Sequence, residues 1–289
     1  MPKIILSSDS TCDLSKELIL KYDVRIVPLI ILLGANEYID GKNIQPDEIY
    51  EYVQKTGNLP KTAAVSVVTL KEHFSDLTKN GDSVLHISIS NRLSASWNNA
   101  TIAAKEFKNV HVVDGFQLST GTSVLLLKAH DLLSQGKSIN EVVSELEILK
   151  LKTSTSFAVN KLDYLHKGGR CSGLTLLGAN ILKIHPMVSM QEGFLKPHKK
   201  FRGNMEVVLS NYIDYLAESY PSYDDTRAFI THTAIDPALL ELANRKVKEN
   251  FKFKEILDTT AGSTITCHCG KGTLGLLFLT NQNIVPISK

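Results

Sequence analysis

Lys3-Ile4-Ile5-Leu6-Ser7, then Ser8-Asp9-Ser10-Thr11, then Leu14–Tyr22 reads as an apolar strand, a turn of hydroxyls and an amphipathic helix. The unit decides the fold because the chain goes on repeating it. Val24–Leu33 reads as a second strand, with Pro28 marking an edge or a bulge. Pro46–Lys55 is a helix with proline in its first turn, and Val68–Lys79 is another. Ser83–Ile89 and Val110–Val113 are strands separated by the helix Ala95–Phe107. A long helix, Gln117–Gln135, follows. Ile139, Val142, Val143, Leu146 and Leu149 then share one helical face. Such alternation predicts a parallel sheet with helices on both faces.

Beyond Lys152 the rhythm changes. Thr153–Val159 reads as a strand, Leu162–Gly169 as a short helix and Ser172–Leu182 as a helix. Ile184–Met190 and Phe194–Phe201 flank Gln191-Glu192-Gly193, a hairpin signal. Asn204–Tyr220 is a helix and Arg227–Thr233 a strand. Asp236-Pro237 starts a helix whose Leu240, Ala243, Val247 and Phe251 share a face, and Phe253–Asp258 and Leu274–Leu279 are the last strands. A hairpin within an α/β pattern predicts a second, mixed-sheet domain. The expected division is 1–160 and 161–289, in line with the roughly 150 residues of an average domain.

Composition narrows the class of protein without choosing a function. Hydrophobic residues make up 43% and charged residues 21%, the proportions of an ordinary folded chain. The formal net charge of +2 gives no overall electrostatic footprint for nucleic acid. The longest apolar run, Ile26–Leu33, is far short of the roughly 20 residues a spanning helix needs. The first residues are too short an apolar stretch for a signal-peptide core, so a cytoplasmic protein is expected. Cys12, Cys171, Cys267 and Cys269 are too scattered for a disulfide framework. Cys267-His268-Cys269 resembles part of a metal site, but no second Cys pair or His spacing completes a tetrahedron, and no metal is expected.

Gly270-Lys271-Gly272-Thr273-Leu274-Gly275 matches the dinucleotide glycine pattern, but it leads into a strand and no acidic residue follows it. Gly136-Lys137-Ser138 lacks the earlier glycine of a phosphate loop, since Asp131 stands there. No nucleotide cofactor is expected. Ser7–Thr11 lies beyond the end of a strand, where ligands bind in open α/β sheets, and its hydroxyls fit helix capping or anion binding equally well. Ser94, at a helix start, and His268 admit a Ser–His acyl hydrolase, although no nucleophile elbow surrounds Ser94. Arg170 and Arg202 each stand beside glycine, where a guanidinium has room to grip a phosphate or carboxylate.

Read together, these segments resemble the DegV family of bacterial fatty-acid-binding proteins across nearly the whole chain. The resemblance runs through Ser8–Leu14, Pro60-Lys61-Thr62 with Phe74, Ile87–Ser90 with Leu93-Ser94, and Lys161–Arg170. It continues in Ile184–Met187 with Arg202-Gly203, and in His268 with Gly270, Gly272 and Gly275. It implies two α/β domains with a fatty acid lying in a tunnel between them. It also implies that Thr62, Ser94 and His268 surround the carboxylate. The family's carrier is no catalyst: it presents the acid to a separate ATP-dependent kinase subunit, which makes an acyl phosphate for phospholipid synthesis. By the same resemblance, Arg170 and Arg202 meet that partner or the incoming phosphoryl group. The chain departs from common family patterns at Ala63–Val67, at Ala95-Ser96 and at Lys271. A binding module for another amphipathic ligand is a third reading.

Overall fold

A computed structural model of the protein describes residues 3–160, 163–171 and 184–284. The first half runs β1 (Ile4–Asp9), α1 (Lys16–Lys21), β2 (Arg25–Val27), β3 (Ile30–Leu33), β4 (Asn36–Ile39) and α2 (Pro46–Thr56). It continues with β5 (Lys61–Ala63), α3 (Val67–Thr78), β6 (Ser83–Ser88), α4 (Ser96–Ala104), β7 (Val110–Asp114), α5 (Thr120–Ser134) and α6 (Ile139–Leu149). Strands β2, β1, β6 and β7 form, in that order, a wholly parallel sheet. Its central strand shows why helices cover both faces. Val84 packs with Leu70, Phe74 and Ala100 of α3 and α4, while Leu85 and Ile87 join Leu125, Val142 and Leu146 on the other face.

The span 24–33 is not one strand. Val27 ends β2 on the sheet edge, opposite Asp9, and Ile30 begins β3 in a different sheet. Pro28 has no N–H to carry the ladder on, and Leu29 N donates instead to Ser10 Oγ at 3.1 Å. β3 pairs antiparallel with β4 and β5 in a three-stranded sheet that sets Thr62 opposite Ile31. β4 and β5 are too short for alternation to announce them.

The second half holds β8 (Thr153–Ala158), α7 (Asp163–Gly168), β9 (Ile184–Gln191), β10 (Phe194–Arg202), α8 (Met205–Ser219) and β11 (Tyr223–His232). The last elements are α9 (Pro237–Asn250), β12 (Glu255–Thr260), α10 (Ser263–Cys269) and β13 (Leu274–Thr280). The six-stranded sheet has the order β10-β9-β8-β13-β11-β12 and is mixed, only β11 and β12 being parallel. The expected hairpin is present, with Glu192 and Gly193 both at positive φ, the backbone of a tight turn between antiparallel strands. Asp236 caps α9 by accepting from Ala238 N at 2.9 Å, with Pro237 at the first helical position. The helix expected over 172–182 lies outside the described residues.

β8 falls within residues 1–160 yet belongs to this second sheet, so the change of sheet comes between α6 and β8. Tyr212 of α8 and Val247 of α9 pack on one face of the sheet with Leu276 and Phe278. The opposite face carries Phe157, Val188 and Leu277, which join the core built around α5. α5 therefore stands between the two large sheets. Gly121 lets it approach β8: a Cβ there would lie on the Thr155 side chain.

Candidate functional site

Between the loops at the carboxyl ends of β1 and β6 and the α5-facing side of the mixed sheet lies a cavity of about 600 Å³. This is within the range of small-molecule sites, roughly 300–1,000 Å³. Much of its wall is apolar: Leu29, Leu118, Phe157, Val188, Leu195 and Ile265 come from both halves of the chain. Thr62, Ser94, Arg170 and His268 are also in the wall, so four of the five residues singled out in the sequence share one space. Arg202 does not. It ends β10, the edge strand of the sheet, and is exposed outside the cavity lining.

Thr62 reaches the cavity because β5 holds it in the small sheet, and His268 because α10 points its last turn there. The two are joined: Thr62 Oγ1 and His268 Nε2 are 3.0 Å apart. Burial, reinforced by the nearby Arg170 charge, pushes the His268 imidazole down to about 4, so it is neutral at physiological pH. His268 Nδ1 is buried without a partner among the described residues, and Gly168 packs so closely that a Cβ there would be 2.8 Å from it. An unpaired N–H at that position would cost about 1–3 kcal/mol. That cost favours the tautomer with its proton on Nε2, which donates to Thr62 Oγ1. The Thr62 hydroxyl proton is then free to donate into the cavity.

Ser94 is arranged differently. Its Oγ accepts from Ser96 N at 3.2 Å and lies 3.0 Å from Ser96 Oγ. Among the described residues no hydrogen bond joins Ser94 to His268, so the nucleophile–base pair that a Ser–His hydrolase needs is not formed. Arg170 is exposed at the rim, its Nη1 donating to Gly168 O at 2.9 Å.

Ser7–Thr11 serves the frame of the site more than its chemistry. Asp9 accepts from Thr11 N at 3.2 Å and from the Thr11 hydroxyl, as well as from Ser88 Oγ at 2.7 Å and Ile89 N at 3.0 Å. Ser10 Oγ donates to Asp40 at 2.7 Å, and Asp40 also accepts from Ser263 N at 3.1 Å. Asp13 accepts from Ser119 Oγ at 2.5 Å and from Gly262 N at 2.8 Å. Two buried aspartates thus anchor the start of α10, the helix that carries His268. Burial raises the pKa of all three acids, that of Asp13 to about 8. Thr11, the last residue of the Ser7–Thr11 cluster, and Thr264, which no motif marked, contribute hydroxyl-bearing side chains to the wall.

Cys267 and Cys269 flank His268 as buried free thiols, and burial pushes Cys269 up to about 12. Protonated thiols are poor metal ligands. Among the described residues no group of three or more His, Cys, Asp or Glu is placed to hold a metal, and no helix is long and apolar enough to cross a membrane.

A family model described as "Uncharacterised protein, DegV family COG1307" matches residues 3–281. A protein of Thermotoga maritima named a fatty acid-binding protein is 30% identical over 285 residues, covering 94% of this chain and 96% of its own. The solved structure of a DegV family protein from Thermus thermophilus, described by its fatty acid binding, superimposes with a TM-score of 0.86 at 30% identity. It covers 96% of this chain and 99% of that one. A stearic acid-binding protein from Eubacterium ventriosum superimposes with a TM-score of 0.80 at 27% identity, over 97% and 98% of the two chains.

Proposed function

Because this chain belongs to the DegV family, we propose that it binds a long-chain fatty acid in the cavity between its two large sheets. The observation that carries this reading is the pairing of a mostly apolar wall with a Thr62–His268 hydrogen bond at the same cavity. Each methylene removed from water stabilises the complex by roughly 0.8 kcal/mol, so the acyl chain supplies most of the affinity. A carboxylate is costly to bury unless hydrogen bonds replace its water. Thr62 and Ser94 supply hydroxyl donors, and the neutral His268 holds Thr62 in its donating orientation without competing for the acid's proton.

In this reading the protein is a cytoplasmic carrier and not itself a catalyst. It presents the carboxylate to a separate ATP-dependent kinase, which forms the acyl phosphate. Arg170, exposed at the rim, supports that division: a guanidinium there offers a planar fork to the arriving phosphoryl group. Arg202, outside the cavity, has its role in docking the partner. The test is to denature the purified protein and identify what it releases by mass spectrometry. Free long-chain acid in near-equal molar amount is the expected result. A mass added covalently to Ser94 indicates the hydrolase instead. No released acid, together with no uptake of added palmitate, would falsify the lipid reading.

A further inference from the structure

We propose that Gly275 sets the length of acyl chain the cavity accepts, by giving the ring of Phe157 a place to lie against the sheet. The inference rests on the lipid reading above.

Phe157 of β8 and Gly275 of β13 are direct cross-strand partners. Partners in an antiparallel pair present their side chains to the same face. On β13 that face carries Gly275, Leu277 and Leu279, the two leucines packing in the same core as Phe157, while Leu274, Leu276 and Phe278 turn to the opposite side. Position 275 is thus the one place on this strand where the cavity-side face has no side chain.

The ring of Phe157 occupies the space that results. A Cβ built on Gly275 would overlap Phe157 Cδ1 and lie 2.8 Å from Cε1, both far inside contact distance. Gly275 is not in the left-handed region, so the glycine is required for room and not for backbone conformation. Phe157 is 3% exposed, and its other surroundings include the cavity it lines. A methyl group at 275 and the ring cannot share the space. The ring must leave the sheet, and the unfilled volume beside it is the lumen. Part of the space for the acyl chain is then taken by the phenyl ring.

The test measures binding of the saturated acids from lauric to stearic to the full-length protein. Gly275→Ala should move the preference toward shorter acids by about two carbons. That corresponds to a loss of roughly tenfold or more for stearic relative to lauric acid. Phe157→Leu in the Gly275→Ala background should restore the long-chain preference, because the smaller side chain vacates the lumen. The added methyl also meets Ser156 O at 2.7 Å, so Phe157→Leu alone provides a second reading should Gly275→Ala fail to fold. It should extend the preference to the longest acids. A folded Gly275→Ala protein with the wild-type chain preference overturns the inference and leaves the lipid reading intact, as does an unchanged preference in Phe157→Leu. A wild-type protein that binds none of these acids overturns the lipid reading itself.

Discussion

Asp9, which ends β1, and Thr62, in the middle of β5, are polar residues of the N-terminal half, the first bonded to Thr11 of the cavity wall and the second in that wall itself. Asp9 is completely buried and accepts four hydrogen bonds, two from Thr11 and one each from Ser88 and Ile89. Thr62 is half-buried and, among the described residues, makes one side-chain hydrogen bond, to His268, whose Nδ1 is buried without a partner among those residues. Buried polar groups are normally satisfied within the protein. The Asp9–Asp13–Asp40 region obeys that rule and fixes the frame. In the Thr62–His268 region the Thr62 hydroxyl keeps a donor proton beside an apolar cavity, and in the proposed reading a fatty acid's carboxylate accepts it. Saturation of hydrogen bonds therefore separates the scaffold from the site, although both regions are polar.

The largest effect should come from breaking the saturated side. Asp9→Ala leaves buried donors from Thr11, Ser88 and Ile89 without an acceptor, and each unsatisfied group costs about 1–3 kcal/mol. Chemical denaturation should show a loss of about 3 kcal/mol or more. A loss within about 0.5 kcal/mol, the scale of an ordinary surface change, would erase the distinction between the regions.

Next comes the open side. Thr62→Val keeps the shape of the side chain and removes the hydroxyl. Losing a hydrogen bond to a charged group costs about 1.5–3 kcal/mol, which corresponds to roughly tenfold to over a hundredfold in palmitate affinity. The melting temperature of the ligand-free protein should fall by only a few degrees, the cost of leaving His268 Nε2 without its partner. A large fall in stability with unchanged affinity would make Thr62 part of the frame.

Titration sharpens the same contrast, because the two regions carry opposite shifts. His268 is pushed down, to about 4, so its neutral folded form contributes stability above the unfolded pKa of about 6.5, and this is lost as pH falls toward 4. His73 and His86, which share Ser7 Oγ at 2.8 and 3.0 Å, are also pushed down, to about 4 and about 3, and add to the acid loss. Asp13 is pushed up to about 8, so its contribution is fully present below the unfolded pKa of about 3.9 and is lost as pH rises through 8. Asp13→Asn mimics the neutral acid and should flatten the decline between pH 4 and 8, whereas His268→Gln should flatten part of the decline between 6.5 and 4. Melting temperatures across this range check both signs. An Asp13→Asn protein whose profile matches the wild type contradicts the assignment.

Arg202→Ala should do least. The residue is exposed at the end of an edge strand and outside the cavity, so stability and bound acid should stay at wild-type levels while turnover beside the proposed kinase partner falls. Loss of acid in parallel with turnover would place the arginine in the frame.

The regular half of this architecture was readable in the chain. Period and capping signals are strong where an element is long or flanked by its turn chemistry, as at Asp236-Pro237 or Glu192-Gly193. They fail at β4 and β5, which span three or four residues, and at α10, whose Ser263-Thr264-Ile265-Thr266 run reads more like strand than helix. α10 is helical because tertiary groups hold it: Asp13 and Asp40 accept from Gly262 N and Ser263 N, and almost every residue of it is buried. Thr62 and His268 lie 206 positions apart, and nothing local in either segment announces their hydrogen bond. The resemblance implied that both surround one carboxylate, and the fold joins them directly by a hydrogen bond. Arg170 and Arg202 looked alike in sequence, each beside a glycine, yet only the first lines the cavity.

In the proposed reading a fatty acid's carboxylate sits against Thr62 and His268. Palmitate labelled with carbon-13 at its carboxyl, bound to the full-length protein and followed by NMR across pH, tests it most directly. One protein-bound carboxyl resonance should stay ionised to lower pH than free acid and should move in both Thr62→Val and His268→Gln. A bound resonance that titrates like solvent-exposed carboxylate and is unmoved by either substitution would contradict it.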